Sequence, residues 1–277
     1  MSITAADVNK LRQMTGAGMM DCKKALTEAD GNFDDAVVVL RKKGQKVSAA
    51  RADRETTEGA VFIYTNDTHT AATVVGLGCE TDFVAKTDDF INLGNTILAI
   101  AVAHSPATTE DLLANTATPD GRSINEHMMD LTGKIGEKVD IVGFSQVSGE
   151  KVATYRHFNG KIGVVVELSG VGSTDVAELG GDLALQIAAL KPVAVSEDDV
   201  DATIIEKEVE IGKELARNEG KAEAMLDKIA QGRLQKFFKE NTLYHQQSLA
   251  DESKTVRQLM DSISKDLKVV RFSRVAI

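Results

Sequence analysis

Cys79-Glu80-Thr81-Asp82-Phe83-Val84-Ala85-Lys86 places two acids and an aromatic ring where a strand gives way to a helix, and the fold is read outward from it. The run before it, Thr73-Val74-Val75-Gly76-Leu77-Gly78-Cys79, is short, apolar and partly β-branched, which suits a buried strand. The run after it predicts one helix over 82–103. Apolar residues at Val84, Ile91, Leu98 and Val102, with Phe83, Phe90 and Ile97 one position earlier, make a broad stripe facing a core. Thr81 or Asp82 is the expected N-cap, its side-chain oxygen accepting from a first-turn N–H, and Glu80 and Asp82 complement the positive end of the helix dipole. The corner is expected to be acidic and rigid. Periodicity alone reads Phe83 as core, because Phe83, Phe90 and Ile97 recur every seven residues.

Upstream, residues 1–44 predict a three-helix module. Val8, Leu11 and Met14 give a first stripe, Thr15-Gly16-Ala17-Gly18 breaks it, and Met19, Cys22, Ala25 and Leu26 give a second. Phe33, Ala36, Val37 and Leu40 give a third, expected to stop before Gly44. Met19 and Met20 are adjacent, so at least one should face away from so small a core. Residues 45–58, rich in Lys, Ala, Arg and Glu, read as a polar linker that is helical in part. Then a pattern occurs twice: strand 59–65, turn Asn66-Asp67, strand 70–78 and the helix from Asp82; later strand 152–158, turn Asn159-Gly160, strand 161–168 and a helix from Ser173 to Leu190. Asn-Gly between apolar runs is a strong hairpin signal. Between the copies lie a helix at 124–135 and a strand at 138–148.

Residues 197–240 alternate charges around sparse apolar positions (Ile204, Ile205, Val209, Ile211 and Leu215, then Met225 to Phe238) and predict a protruding helical hairpin broken at Asn218-Glu219-Gly220. A helix over 255–267 and a closing strand over 269–275 follow. The fold class is therefore α+β. The expected divisions are module and linker at 1–52, one core subdomain at 53–145, a second at 146–196 plus 243–277, and the inserted coiled-coil hairpin at 197–242.

Composition bounds the function. The 277 residues are 43% hydrophobic, enough for more than one core, and carry a net charge of −10. Residues 1–54 hold 10 basic and 7 acidic side chains and the remainder 22 and 35, so the body is acidic and disfavours nonspecific nucleic-acid binding. The basic run Arg41-Lys42-Lys43-Gly44-Gln45-Lys46 lacks interleaved aromatics and reads as a solvated helix end. Two cysteines far apart, Cys22 and Cys79, form no disulfide framework and suit a reducing cytoplasm as buried small residues. The polar start and the lack of a long apolar run predict a soluble, unprocessed chain without membrane contact. There is no phosphate-binding Gly-rich loop, His-Glu-x-x-His, Cys-x-x-Cys or Gly-x-Ser-x-Gly, so no cofactor and no enzyme activity are expected. His69, His104, His127, His157 and His245 are scattered, and Glu80, Asp82, Asp88 and Asp89 read as solvated helix-start acids rather than a metal site.

Two motifs in order, Leu11-Arg12-Gln13-Met14-Thr15-Gly16-Ala17-Gly18-Met19-Met20-Asp21-Cys22-Lys23-Lys24-Ala25-Leu26 and the Cys79–Lys86 corner, closely resemble the signatures of the elongation factor Ts family, and the similarity extends almost to the last residue. The resemblance implies an N-terminal ubiquitin-associated-like (UBA-like) module, two related α+β subdomains and an inserted coiled coil. It implies a guanine-nucleotide exchange factor that binds elongation factor Tu in its GDP-bound and nucleotide-free forms, and it reverses the reading of Phe83 from core to partner contact. By the same resemblance Asp82 and Phe83, with Thr81 and Val84, disturb the partner's nucleotide site. Arg12, Met19 and Met20 make the module's contacts, and His157, Ile135, Gly136, Leu249 and Ala250 make those of the core. A homodimer through the hairpin is a further expectation, and the alternative reading is a UBA-like binding scaffold without exchange activity. Two departures stand out. Many members have Gln-Pro-Phe-Val where this chain has Gln246-Gln247-Ser248-Leu249, which removes an aromatic contact. Longer relatives also carry a C-terminal module, whereas this chain ends at Ile277, directly after the last expected strand.

Overall fold

A computed structural model describes residues 3–277; Met1 and Ser2, at the start of the expected module, lie outside the described residues. Helices α1 (Ala5–Thr15), α2 (Met19–Glu28) and α3 (Phe33–Ala50) form the N-terminal unit. Thr4 and Asp7 make a capping box, and Gly16 ends α1 at φ 67°. Asn32 caps α3 by accepting from the N–H of Asp34 at 2.9 Å. Val8, Leu11, Cys22, Ala25, Leu26 and Ala36 make a small core. Met14, expected in the first stripe, is instead 58% exposed.

The third helix does not stop at Gly44 but runs through it to Ala50, so the first half of the expected linker is helical. Helix α7 (Ile124–Ile135) crosses here. A Cβ on Gly44 would lie 3.1 Å from the Met129 carbonyl oxygen, and one on Gly133 would lie 2.5 Å from the Gly44 Cα. The glycine that weakens the helix locally is what allows two backbones to touch. Gly133→Leu should force the helices apart at a cost of at least about 1–3 kcal/mol, the usual penalty of overpacking. Urea unfolding would measure it. Gly181→Ala, whose new Cβ meets nothing within 4 Å, should be neutral or stabilising.

Two antiparallel sheets carry the body: β1 (Glu58–Thr65), β2 (Ala71–Cys79) and β3 (Val139–Ser148) in that order, and β4 (Lys151–Arg156), β5 (Ile162–Ser169) and β6 (Lys268–Ala276) likewise. Successive side chains of β2 point to opposite faces. Val75 and Leu77 enter a core with Phe62, Phe90 and Ile97, whereas Ala72 and Val74 enter one between the sheets with Val61, Val165 and Val275. Both faces are covered, and the strand is correspondingly apolar throughout. β3 runs to Ser148, past the expected subdomain boundary at 145.

The single helix expected from Asp82 is two. α4 (Asp82–Ala85) ends at Lys86, and α5 (Asp88–His104) starts afresh with Thr87 as its cap. The Thr87 hydroxyl donates to the Val84 carbonyl at 2.8 Å and accepts from the N–H of Phe90 at 3.4 Å, so one side chain closes the first helix and opens the second. α6 (Thr109–Ala114) is an element the sequence reading did not anticipate. In the second half, α8 (Ala177–Leu190) begins four residues later than expected and packs on β4 and β5.

The hairpin is formed by α9 (Ala202–Asn218) and α10 (Leu226–Asn241). Its seam differs from the expected one. Gly212, Ala216 and Ala230 are buried at the crossing, whereas Ile211, Leu215 and Met225 are about half exposed. Small residues allow close helix approach and turn the larger ones outward. Leu234 and Phe238 anchor the base against Ala194 and Val200. Leu243 N–H donates to the Ala194 carbonyl at 2.9 Å, so the chain leaves and re-enters at one place. α11 (Val256–Ile263), shorter than expected, precedes β6.

Candidate partner-binding surface

The β2–α4 corner is built from its last strand residue. Cys79 is fully buried, its thiol donates to the Thr81 carbonyl at 3.2 Å, and burial, then the nearby Glu137 carboxylate, pushes its pKa up to about 12. It is a packing group and no nucleophile. Thr81, not Asp82, is the N-cap: its hydroxyl accepts from Val84 N–H at 3.5 Å, while its own N–H and hydroxyl donate to Glu137 at 3.0 and 2.8 Å. Glu80 accepts from Lys138 N–H at 2.7 Å and from Arg51 Nη1 at 2.8 Å. The Lys138 bond, then the Arg51 guanidinium, holds the Glu80 carboxyl below the usual carboxylate range.

Asp82 pairs with Lys86 at 2.6 Å, and that bond lowers its pKa. Asp89 pairs with Lys134 at 2.6 Å. Phe83 is 80% exposed, and Val84 beside it is buried in the core with Phe90 and Ile97. This corrects one expectation: the Val84 side chain has no surface to offer a partner and instead anchors α4, leaving Phe83 to face outward.

Across a groove from α4 lies the β4–β5 turn. Asp82, Lys86, Glu58, Arg156, Gly160 and Lys161 line it, and Lys161 is ion-paired with Glu58 at 2.5 Å. The turn is pinned to β1 because Gly160, at φ 73°, accepts from Val61 N–H at 2.8 Å and Arg156 Nε donates to the Val61 carbonyl at 2.7 Å. His157 is partly buried, with Nδ1 2.9 Å from the Tyr155 hydroxyl. Phe158, whose ring centroid lies 4.4 Å from that of His157, is 92% exposed. The pattern predicts Phe158 as the end of a strand, whereas β4 stops at Arg156. The signal was available in Asn159-Gly160, because an aromatic one step before a tight turn has no core to enter.

Ile135 packs on the same core as Val84, and Gly136 ends α7 at φ 76° with open space where a side chain would sit. Both precede Glu137, which bonds Thr81, so the end of α7 meets the corner at Thr81, while His157 belongs to the separate β4–β5 turn. Arg12, Met19 and Met20 are all exposed on the N-terminal unit, the methionines by 54% and 64%. That unit borders α7 along a cleft that includes Thr15, Ala17, Gly133 and Lys134. Leu249 and Ala250 lie apart, beside α8, where Leu249 N–H donates to Gln186 Oε1 at 2.8 Å. Ser248 is buried and its hydroxyl accepts from Ala250 and Asp251 N–H, both at 3.2 Å, so it closes the loop. Among the described residues no helix is long and apolar enough to cross a membrane.

The family profile described as Elongation factor TS matches residues 80–277. Among curated relatives, a protein named Elongation factor Ts from Cytophaga hutchinsonii is 54% identical over 276 residues, covering 100% of this chain and 99% of the relative. One of the same name from Amoebophilus asiaticus is 50% identical over 277 residues, with 100% and 99% covered. The Streptomyces griseus protein of that name is 44% identical, with 99% and 98% covered.

Proposed function

The chain belongs to the elongation factor Ts family of translation elongation factors, and from that premise we propose that it binds elongation factor Tu carrying GDP and accelerates release of the nucleotide. The observation that carries this reading is Phe83, 80% exposed on a corner whose neighbours are buried or ion-paired. A ring on a rigid mount can enter a partner without the cost of ordering a loop. The ring and Asp82 disturb the partner's Mg²⁺ and phosphate contacts, the nucleotide-free partner is held, and GTP binding ends the complex. The chain makes and breaks no bond. Weakening of GDP by this protein equals weakening of this protein by GDP, because coupling between two ligands is reciprocal. Rates change and the GDP/GTP equilibrium does not. Release of a fluorescent GDP from elongation factor Tu, with and without the protein, tests it; an unchanged rate refutes it.

The module supplies a second contact through Arg12, Met19 and Met20, with further contacts from His157, Ile135, Gly136, Leu249 and Ala250. Exposed methionines suit such a surface because they adapt to what they meet. Met19→Glu with Met20→Glu should weaken binding about tenfold or more, since each removes apolar burial worth roughly 1.5–3 kcal/mol when complete. Titration calorimetry measures it, and undiminished affinity counts against this surface. The net charge of −10 argues against nucleic acid as a partner, and the buried, unpaired thiols fit the cytoplasm.

The hairpin's outer groove is a candidate for self-association. Ile211, Leu215 and Phe237 line it, with the charged Glu208, Arg233, Lys236 and Glu240 around them. Replacing residues 202–241 with a short Gly-Ser connection should abolish any dimer seen by sedimentation while exchange persists in part, since Phe83 is elsewhere. Complete loss of exchange in a folded protein would mean that the hairpin itself grips the partner.

A further inference from the structure

Local structure does not fix the direction of Phe83. α4 has four residues, far too few to hold a helix by itself, and its cap bond from Val84 N–H to the Thr81 hydroxyl is at the long limit of 3.5 Å. The stronger fastening comes from 56 residues away, where Glu137 grips the N–H and the hydroxyl of Thr81 with one oxygen each. Hydrogen bonds to a carboxylate are roughly twice as strong as neutral ones, and two from one residue define an orientation as well as an energy. The grip is returned. Glu80 accepts from the backbone N–H of Lys138, so residues 80–81 and 137–138 exchange carboxylate bonds in both directions. Arg51 on the same Glu80, and the Lys138 ammonium donating to the Ala52 carbonyl at 2.9 Å, fasten the end of α3 to the same knot.

We infer that Glu137 is a positioning residue for Phe83: by holding both donors of Thr81 it sets the pose of α4, and with it the angle at which the ring meets the partner. The inference rests on the reading of Phe83 as the exchange ring. Glu137 is partly buried and follows Ile135 and Gly136, so the same carboxylate keeps the α7 end and the corner in one rigid arrangement. The Glu80–Arg51 pair extends that arrangement to the N-terminal unit.

The test separates aim from stability. GDP release from elongation factor Tu is measured against protein concentration, well below the unfolding midpoint of each variant. Glu137→Ala should lower the maximal rate about tenfold and move the half-saturating concentration by less than about twofold, because a misplaced group costs turnover more than encounter. Glu137→Gln should recover most of the rate, its amide oxygen accepting from Thr81 N–H and its amide nitrogen donating to the Thr81 oxygen. Added to Phe83→Ala, Glu137→Ala should cost less than about a further twofold, as expected when one residue acts through the other. Where Glu137→Ala does not fold, Glu137→Asp, whose side chain is one methylene too short to hold both donors of Thr81, takes its place in the cycle with a smaller loss. Additive losses, or a change confined to half-saturation, overturn the positioning role. A fully active Phe83→Ala overturns the exchange reading itself and the role built on it.

Discussion

Phe83→Ala is expected to slow assisted GDP release roughly ten- to hundredfold while leaving the unfolding midpoint nearly unchanged. At 80% exposure the ring contributes little to the folded chain, and exposed substitutions usually lie within about ±0.5 kcal/mol. Full burial of such a ring in a complex is worth about 1.5–3 kcal/mol, and each 1.4 kcal/mol is a factor of ten. Val84→Ala is the informative contrast. Val84 sits in the core with Phe90 and Ile97, so its truncation should lower stability by roughly 1–3 kcal/mol and affect exchange only through α4. Denaturation and GDP-release curves on both variants separate the roles. Normal exchange by Phe83→Ala would remove the ring from the exchange mechanism, and its failure to fold would mean the ring serves the chain's own packing.

That contrast marks what was legible in the sequence. β2 could be read because both its faces are buried, which leaves an uninterrupted apolar run, and the hairpin could be read from its charge alternation. The fate of Phe83 could not be read from periodicity. Phe83 and Phe90 share a phase only if one helix joins them, and Thr87 breaks that helix by capping α5 while tying off α4. Thr81 and Thr87 are both caps, a pair of start signals that was there to be read. Gly44 misled for a different reason. Its partner Gly133 is far away in sequence, and a glycine that ends a helix looks locally the same as one that lets another helix approach. Glu137 and Arg51 were missed likewise, since their roles consist of bonds to residues 81 and 80. Nonlocal partners leave no periodic trace. In the hairpin, side-chain size points to Ile211 and Leu215 as the seam, whereas the close crossing of α9 and α10 selects Gly212 and Ala230.

Removing residues 1–52 is expected to bring exchange close to the unassisted rate while the body still unfolds in one cooperative transition. None of these residues belongs to the three cores of the two sheets, so the sheets, α5 and α8 keep their packing. The module is nevertheless no freely linked appendage. Its loss bares the face of α7 that meets Gly44 and takes Arg51 from Glu80, and a hydrogen bond to a charged group contributes about 1.5–3 kcal/mol. The midpoint should therefore fall measurably. Arg51→Met in the intact chain separates the two losses: it keeps Met19, Met20 and Arg12 in place but frees the corner from α3. Its exchange should be intermediate and its affinity for elongation factor Tu close to that of the parent. Calorimetry and GDP release on the truncated and substituted proteins decide between the alternatives. Full exchange by residues 53–277 alone would restrict the active surface to the body, that is the corner, the α7 end, the β4–β5 turn and the loop at Leu249 and Ala250, and loss of the cooperative transition would make the module part of the body's own fold.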